Sequence, residues 1–226
     1  MACLYMVATP IGNLADITIR ALEILKNVDL IVCEDTRHSR RLLEHYDIHK
    51  PLRSGHGHNE VQSALGVVQL LQEGKDVAYV SDAGAPGISD PGRVIVRTVR
   101  DAGFTIVPIP GVSALTALLC VNGFPGKAVT FEGFLSPKQG RRRKRLGELL
   151  LRKESFVLYE SPHRVLKLLG DLSDLESERH VLLGRELTKI HEELVEGSAR
   201  EVFSTMSQRQ SIKGEIVLLV GPPKKG

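Results

Sequence analysis

The chain contains no tryptophan, and aromatic residues make up only 4% of it. Few side chains are on hand to stack on bases, so any nucleic-acid contact must rest on charge and shape. Cysteine is equally scarce. Cys3, Cys33 and Cys120 form no Cys-x-x-Cys pair and no metal-spaced set, which argues against a zinc module or a disulfide scaffold, and no metal is expected. Cys33 and Cys120 stand in apolar runs and read as small core residues. The longest apolar stretch, 112–121, is about half of the roughly 20 residues that a membrane span needs. The opening MACLYMVATPIGN has no basic n-region, and its apolar run is too short for a secretory signal. These absences lead us to expect a cytoplasmic protein with no membrane contact. The chain also lacks a G-x-x-x-x-G-K-[ST] loop and a G-x-G-x-x-G after its first strand, which argues against a nucleoside triphosphate or a standard dinucleotide as ligand.

What is present is ordinary in bulk and uneven in detail. A 42% hydrophobic and 25% charged composition over 226 residues suits a globular chain of two modest domains. The net charge is +3, yet residues 138–153 hold eight Lys/Arg against one Glu, leaving −4 for the remainder. A near-neutral body with one basic segment points to a polyanionic partner.

Apolar periodicity predicts strands over 4–8, 29–34, 77–81 and 105–109, alternating with helices over 17–26, 38–45, 61–73, 94–102 and 113–121. This is an α/β domain with a mostly parallel sheet, spanning 1–121. NGFPGK (122–127) then interrupts with Gly and Pro, and a linker is placed at 122–128. The remainder, 129–226, reads as a second α/β domain, with strands over 129–135, 155–160, 180–187, 192–198 and 215–221. Helices are expected over 142–153, 163–169 and 200–208. Only TKIH separates two of these strands, so the second sheet is expected to be mixed.

In an open α/β sheet, ligands sit beyond the carboxyl ends of the strands. Four loops leave those ends: TPIGNLADIT (9–18), EDTRHSRR (34–41), SDAGAPGISDPG (81–92) and PIPGVSA (108–114). Any one is explained by turn chemistry; four on one edge argue for a ligand cleft. They bring Asp35, Asp82 and Asp90 and few cations, which suits a ligand with hydroxyls, an amine or a positive centre.

The motifs YMVATPIGNLADIT (5–18), CEDTR (33–37), SDAGAPGISDPG (81–92), VPIPGVSA (107–114), FEGFL (131–135), YESPHR (159–164), GRELTKIHEE (184–193) and KGEIVLLV (213–220) run in order along almost the whole chain. Together they resemble the tetrapyrrole-methylase superfamily, the class III S-adenosylmethionine methyltransferases. More narrowly, they resemble its ribosomal RNA small subunit methyltransferase I branch, which methylates the ribose 2′-oxygen of a cytidine in the decoding centre of 16S rRNA. The resemblance implies S-adenosylmethionine as cofactor, held in a cleft between the two domains, 16S rRNA in the small ribosomal subunit as partner, and a homodimer. Carried onto the matching positions, it implies cofactor contacts at Pro10, Asp82, Ala85, Ser113, Ala114, Tyr159, Gly184, Arg185 and Gly214.

A ribose hydroxyl is a weak nucleophile, so a general base is expected. The candidates are Asp35, Glu160, Glu186 and Lys189, with His58 of GHGHNE beside them; Arg37 or Arg164 would hold a phosphate. The run Arg141, Arg142, Arg143, Lys144, Arg145 is expected to start a helix. Its mutual repulsion would be relieved by RNA phosphates. Two other readings fit the same residues: a methyltransferase acting on a tetrapyrrole precursor, and a non-catalytic RNA-binding module of ribosome assembly.

Overall fold

The computed structural model describes residues 2–55 and 60–223. The chain divides into two compact units, Met1–Ser113 and Ala114–Gly226. The sequence boundary at 122–128 lies one helix further along.

The first unit is built on β1 (Cys3–Val7), β2 (Leu30–Cys33), β3 (Leu52–Ser54), β4 (Val77–Val80) and β5 (Thr105–Ile109). They form one sheet in the order β3-β2-β4-β1-β5, and every pairing is parallel. The connections are α1 (Ile19–Asn27), α2 (Thr36–His45), α3 (Glu60–Gln72) and α4 (Arg93–Asp101). Ala21 and Leu25 of α1 and Leu42 and Leu43 of α2 pack with Val7, Ile31, Cys33 and Val80 on one sheet face. Ala64, Val67 and Leu71 of α3 and Ile95 and Val99 of α4 pack with Leu4, Val32, Val77 and Tyr79 on the other. Both faces are covered, which is why the strands read as continuous apolar runs rather than alternating ones. The short edge strand β3, sequence Leu-Arg-Ser, has no such run and no periodicity to reveal it.

The second unit begins with α5 (Ala114–Cys120) and continues through β6 (Val129–Phe134), α6 (Gln139–Leu151), β7 (Ser155–Glu160), α7 (Val165–Leu175), β8 (His180–Arg185), β9 (Glu193–Ser198), α8 (Ala199–Ser207) and β10 (Ile216–Val220). The sheet order is β6-β7-β10-β8-β9. Only β6 and β7 pair in parallel; the other three pairings are antiparallel, including β8 with β9 across the TKIH turn. Leu146 and Leu149 of α6, Leu168 and Leu172 of α7, and Val202 and Met206 of α8 cover one sheet face. Two α/β units, one with an all-parallel sheet and one mixed, are the expected fold class. Cys33 is buried, but Cys120, in the last turn of α5, is exposed and not a core residue. Among the described residues, no helix is long and apolar enough to cross a membrane.

Candidate active site

Because the first sheet is wholly parallel, the loops after β1, β2, β4 and β5 all leave the same edge. Two of them are clasped by backbone: Thr9 N–H donates to Gly84 O (2.9 Å) and Gly84 N–H returns to Thr9 O (3.0 Å). The Thr9 hydroxyl donates to Ser81 O and the Ser81 hydroxyl to Gly84 O. Gly84 adopts φ +76°, a left-handed conformation that a side chain would disfavour. A Cβ at Gly111, in the loop after β5, would sit 2.8 Å from Ala8 Cβ. The opening motif of glycines and prolines thus lets backbone approach backbone at the strand ends, and places Pro10, Asp82, Ala85 and Ser113 on neighbouring loops. Pro10 and Ser113 are buried, while Asp82 and Ala85 are partly exposed. A rigid backbone cradle with a partly open carboxylate fits a ligand bearing a cation, an amine and hydroxyls, as S-adenosylmethionine does.

Asp35 and Asp82 meet, but not as a base pair of carboxylates. Asp35 N–H donates to Asp82 Oδ1 at 3.1 Å. Asp35 itself caps α2, accepting from the Arg37 backbone at 2.8 Å and from the Arg37 guanidinium at 2.8 and 3.2 Å. The Arg37 hydrogen bonds hold its carboxyl far below the ordinary value, so it is a poor proton acceptor. Arg37 remains largely exposed. The residue before Asp35, Glu34, is absent from the candidates that the motifs supply, and its character is the opposite. Burial, then the charges of Asp90 and Asp82, push its carboxyl up to about 7. The Asp82 backbone N–H points to this carboxylate, while Glu34 Oε1 is buried without a hydrogen-bond partner among the described residues. The signal was in the strand alternation: Glu34 directly follows β2, and alternation continued from Val32 puts it on the Val32 face, whereas Asp35 caps a helix. His58 lies outside the described residues.

The other candidate bases are engaged elsewhere in the second unit. Glu160 is buried at the end of β7, accepts from Ser161 N–H at 2.7 Å and stands 3.1 Å from Arg164. Arg164 donates to Leu135 O at 2.5 Å, so it serves as a strut rather than a free phosphate ligand. Glu186 accepts from Lys189 Nζ (2.8 Å) and from Glu215 N–H (2.9 Å). Burial pushes the Glu186 carboxyl up, but these bonds outweigh it and hold it below its ordinary value. Burial likewise pulls Lys189 down, but its bonds to Glu186 and Glu215 hold it above. A cationic lysine held between two carboxylates is a poor proton acceptor, and Glu186 is engaged with it. This ring fixes a turn in which Glu186 and Thr188 have positive φ, 51° and 67°.

Of the expected cofactor positions here, Tyr159 accepts from Leu115 N–H at 3.1 Å, next to Ala114, and its ring meets Phe131 edge-on. Gly184 is buried, and a Cβ there would lie 3.0 Å from Leu118 Cδ1 of α5. Gly214 has φ +91°, and its missing side chain leaves room for Glu186. The Arg185 side chain is spent on Glu193 Oε2 (2.9 Å) and on the carbonyls of Lys213 and His191, so only its backbone is available.

The basic run does lie in α6, but its repulsion is relieved from within. Arg142 is 3% exposed and pairs with Asp171 at 2.7 Å. Arg143 pairs with Asp171 and Asp174, and Arg145 with Glu132 and Glu148. Buried Arg142 is therefore not an RNA ligand, and Arg143 and Arg145 are first of all structural. Lys138, the N-cap of α6, and Arg141 and Lys144 within it, three residues apart, stay exposed.

Residues 3–202 match the family model of Tetrapyrrole (Corrin/Porphyrin) Methylases. The chain belongs to the tetrapyrrole methylase family. It is 47% identical over 219 residues to ribosomal RNA small subunit methyltransferase I of Pasteurella multocida, covering 96% of this chain and 78% of that one. The protein of the same name from Borrelia garinii subsp. bavariensis is 44% identical, covering 96% and 97%, and that of Bacillus subtilis 41%, covering 97% and 75%. Among solved tetrapyrrole methylases, the methyltransferase CobJ aligns over 100% of this chain and 98% of its own with a TM-score of 0.74 at 20% identity. Cobalt precorrin-4 methyltransferase CbiF aligns over 97% and 94% with a TM-score of 0.69 at 18% identity. At such identities these two speak to the fold alone.

Proposed function

We propose that this chain methylates small-subunit ribosomal RNA, at the ribose 2′-oxygen of a cytidine in the decoding centre of 16S rRNA. The observation that carries the reading is identity of 41–47% across nearly the whole chain to proteins named ribosomal RNA small subunit methyltransferase I; the cytidine 2′-oxygen is the finer part of the proposal and rests on the sequence motifs. The row of exposed cations on α6 supports it, since a polyphosphate acceptor wants accessible positive charge.

The family's methyl donor is S-adenosylmethionine, which supplies an electrophilic methyl group on a cationic sulfur. In this chain the Thr9–Gly84 clasp fixes the loops after β1 and β4, and the Asp82 carboxylate is oriented by the Asp35 N–H. Orientation is the main catalytic work of such a transfer; well-aligned reactants gain effective molarities of roughly 10⁵–10⁸ M. Arg37 is exposed and pairs with Asp35, whose N–H meets Asp82, and we assign it to a phosphate of the acceptor. We take the working form to be a cytoplasmic homodimer; light scattering of the purified chain tests the dimer.

The direct test is transfer of labelled methyl from S-adenosylmethionine to small ribosomal subunits that lack the modification. Label in the rRNA is expected. Label in a tetrapyrrole precursor and none in rRNA would favour the corrin and porphyrin branch of the family instead.

A further inference from the structure

Four carboxylates gather at one end of the first sheet. Glu34 follows β2, Asp82 and Asp90 lie in the loop after β4, and Glu60 opens α3. They are not grouped to hold a metal ion among the described residues. Alone, such a cluster is a solvated strand edge. A second observation makes it more. Tyr79, on β4 and 0% exposed, carries a hydroxyl with no hydrogen-bond partner among the described residues. Its ring runs between Gly55, directly after β3, and Gly92 at the start of α4: a Cβ at Gly55 would lie 3.6 Å from Cε2, and one at Gly92 3.3 Å from Cε1. Tyr79 pairs across the sheet with Val32, two residues before Glu34, and after burial the charges of Glu34, Glu60 and Asp90 push its pKa up. Leaving a buried polar atom unpaired costs about 1–3 kcal/mol, and two share this spot: the Tyr79 hydroxyl and Glu34 Oε1.

We propose that Glu34 is the general base of the transfer, accepting the proton of the acceptor ribose 2′-hydroxyl, and that the buried Tyr79 hydroxyl positions that oxygen. This rests on the rRNA 2′-O reading above. A ribose hydroxyl satisfies both orphaned atoms, donating to Glu34 and accepting from Tyr79. In the step, the 2′-oxygen forms a bond to the methyl carbon as the carbon–sulfur bond breaks. The sulfur keeps that electron pair and becomes a neutral thioether, and the hydroxyl proton passes to Glu34 and then to water. The groups facing Glu34 explain its suitability. From the β4 loop come Asp82 and Asp90, and from α3 Glu60. None of these described groups is a cation, so they do not lock the carboxyl as a weak base, as Arg37 locks Asp35. A base whose pKa lies near working pH is the most effective.

The test uses the full chain, S-adenosylmethionine and unmodified small subunits, with Glu34→Gln, Glu34→Asp and Tyr79→Phe. Glu34→Gln is expected to bind S-adenosylmethionine within about threefold of wild type by calorimetry. It should lose roughly 10²–10⁴-fold in single-turnover rate and the rise of rate with pH through about 7. Glu34→Asp should keep that rise at a lower rate, and Tyr79→Phe should slow transfer about tenfold with the rise intact. Carbon-13 NMR of glutamate-labelled protein should show one carboxyl titrating near 7 that Glu34→Gln removes. A Glu34→Gln enzyme within threefold of wild-type rate, or one that keeps the pH rise, would overturn the assignment. So would loss of cofactor binding, which would make Glu34 a cofactor ligand, or NMR showing no carboxyl titrating above pH 6. Should wild type label no rRNA, it is the rRNA reading that fails; the NMR titration still decides whether Glu34 has the protonation a base requires.

Discussion

Glu34 sits where function and stability pull in opposite directions. A carboxyl whose folded pKa is about 7 against an ordinary 4.5 favours folding while it is protonated in the folded state. That contribution is fully present below about pH 4.5 and is lost as pH rises through 7. The difference is about 3 kcal/mol at full value, less solvent screening of this partly exposed group. Glu34→Gln is therefore expected to raise the melting midpoint at pH 8 by several degrees and leave it nearly unchanged at pH 4, as read by scanning calorimetry. An equal shift at both pH values would contradict the assigned burial. Gly214 makes the opposite case. Its φ of +91° and the Glu186 side chain filling the place of a Cβ predict that Gly214→Ala costs about 1–3 kcal/mol in denaturant titrations. The motifs drew attention to Asp35, Glu186 and Lys189 because they are polar and lie in conspicuous stretches. What a motif does not display is whether a charge is already spent. Asp35 is spent on Arg37, and Lys189 on Glu186 and Glu215. Glu34 was legible only through strand parity, and Tyr79 looked like one more apolar strand residue.

At the scale of the element, α6 shows how a charged helix is tolerated. The cations are contiguous in sequence, but Asp171 and Asp174 arrive from α7 and Glu132 from β6. No local reading of KQGRRRKR could see partners so far along the chain. Asp171→Ala would strand the buried Arg142 guanidinium, and a loss of about 3–5 kcal/mol is expected from chemical denaturation. Lys138→Ala, Arg141→Ala and Lys144→Ala together should leave stability nearly unchanged and weaken RNA binding. A second charge cluster ties β9 to the segment after α8, where Arg209 and Arg185 converge on Glu193. The Arg209 hydrogen bond holds the Glu193 carboxyl down at about 2. Its contribution is therefore present above the ordinary carboxylate pKa and lost as pH falls from 4.5 towards 2. Melting midpoints of wild type and Glu193→Gln should converge over that range.

At the scale of the whole molecule, the two units divide the labour that the sequence hinted at. The all-parallel first sheet brings four loops to one edge, and the mixed second sheet carries the basic helix. Continuous apolar runs made the first sheet legible, and the short TKIH turn marked the antiparallel pair in the second. The edge strand β3 and the division before α5 were not legible, since neither leaves a pattern in local hydrophobicity. Binding of the small subunit should fall with salt. Each phosphate neutralised adds about 0.7–0.9 to the slope of log K against log salt, so the triple α6 variant should have a shallower slope than wild type. The most direct measurement is the identity of the methylated nucleoside. Small subunits lacking the modification would be incubated with the chain and methyl-labelled S-adenosylmethionine, and the rRNA digested and separated by mass spectrometry. The account predicts label in 2′-O-methylcytidine. Label in a base-methylated nucleoside, or none in RNA by a chain that binds the cofactor, would contradict it.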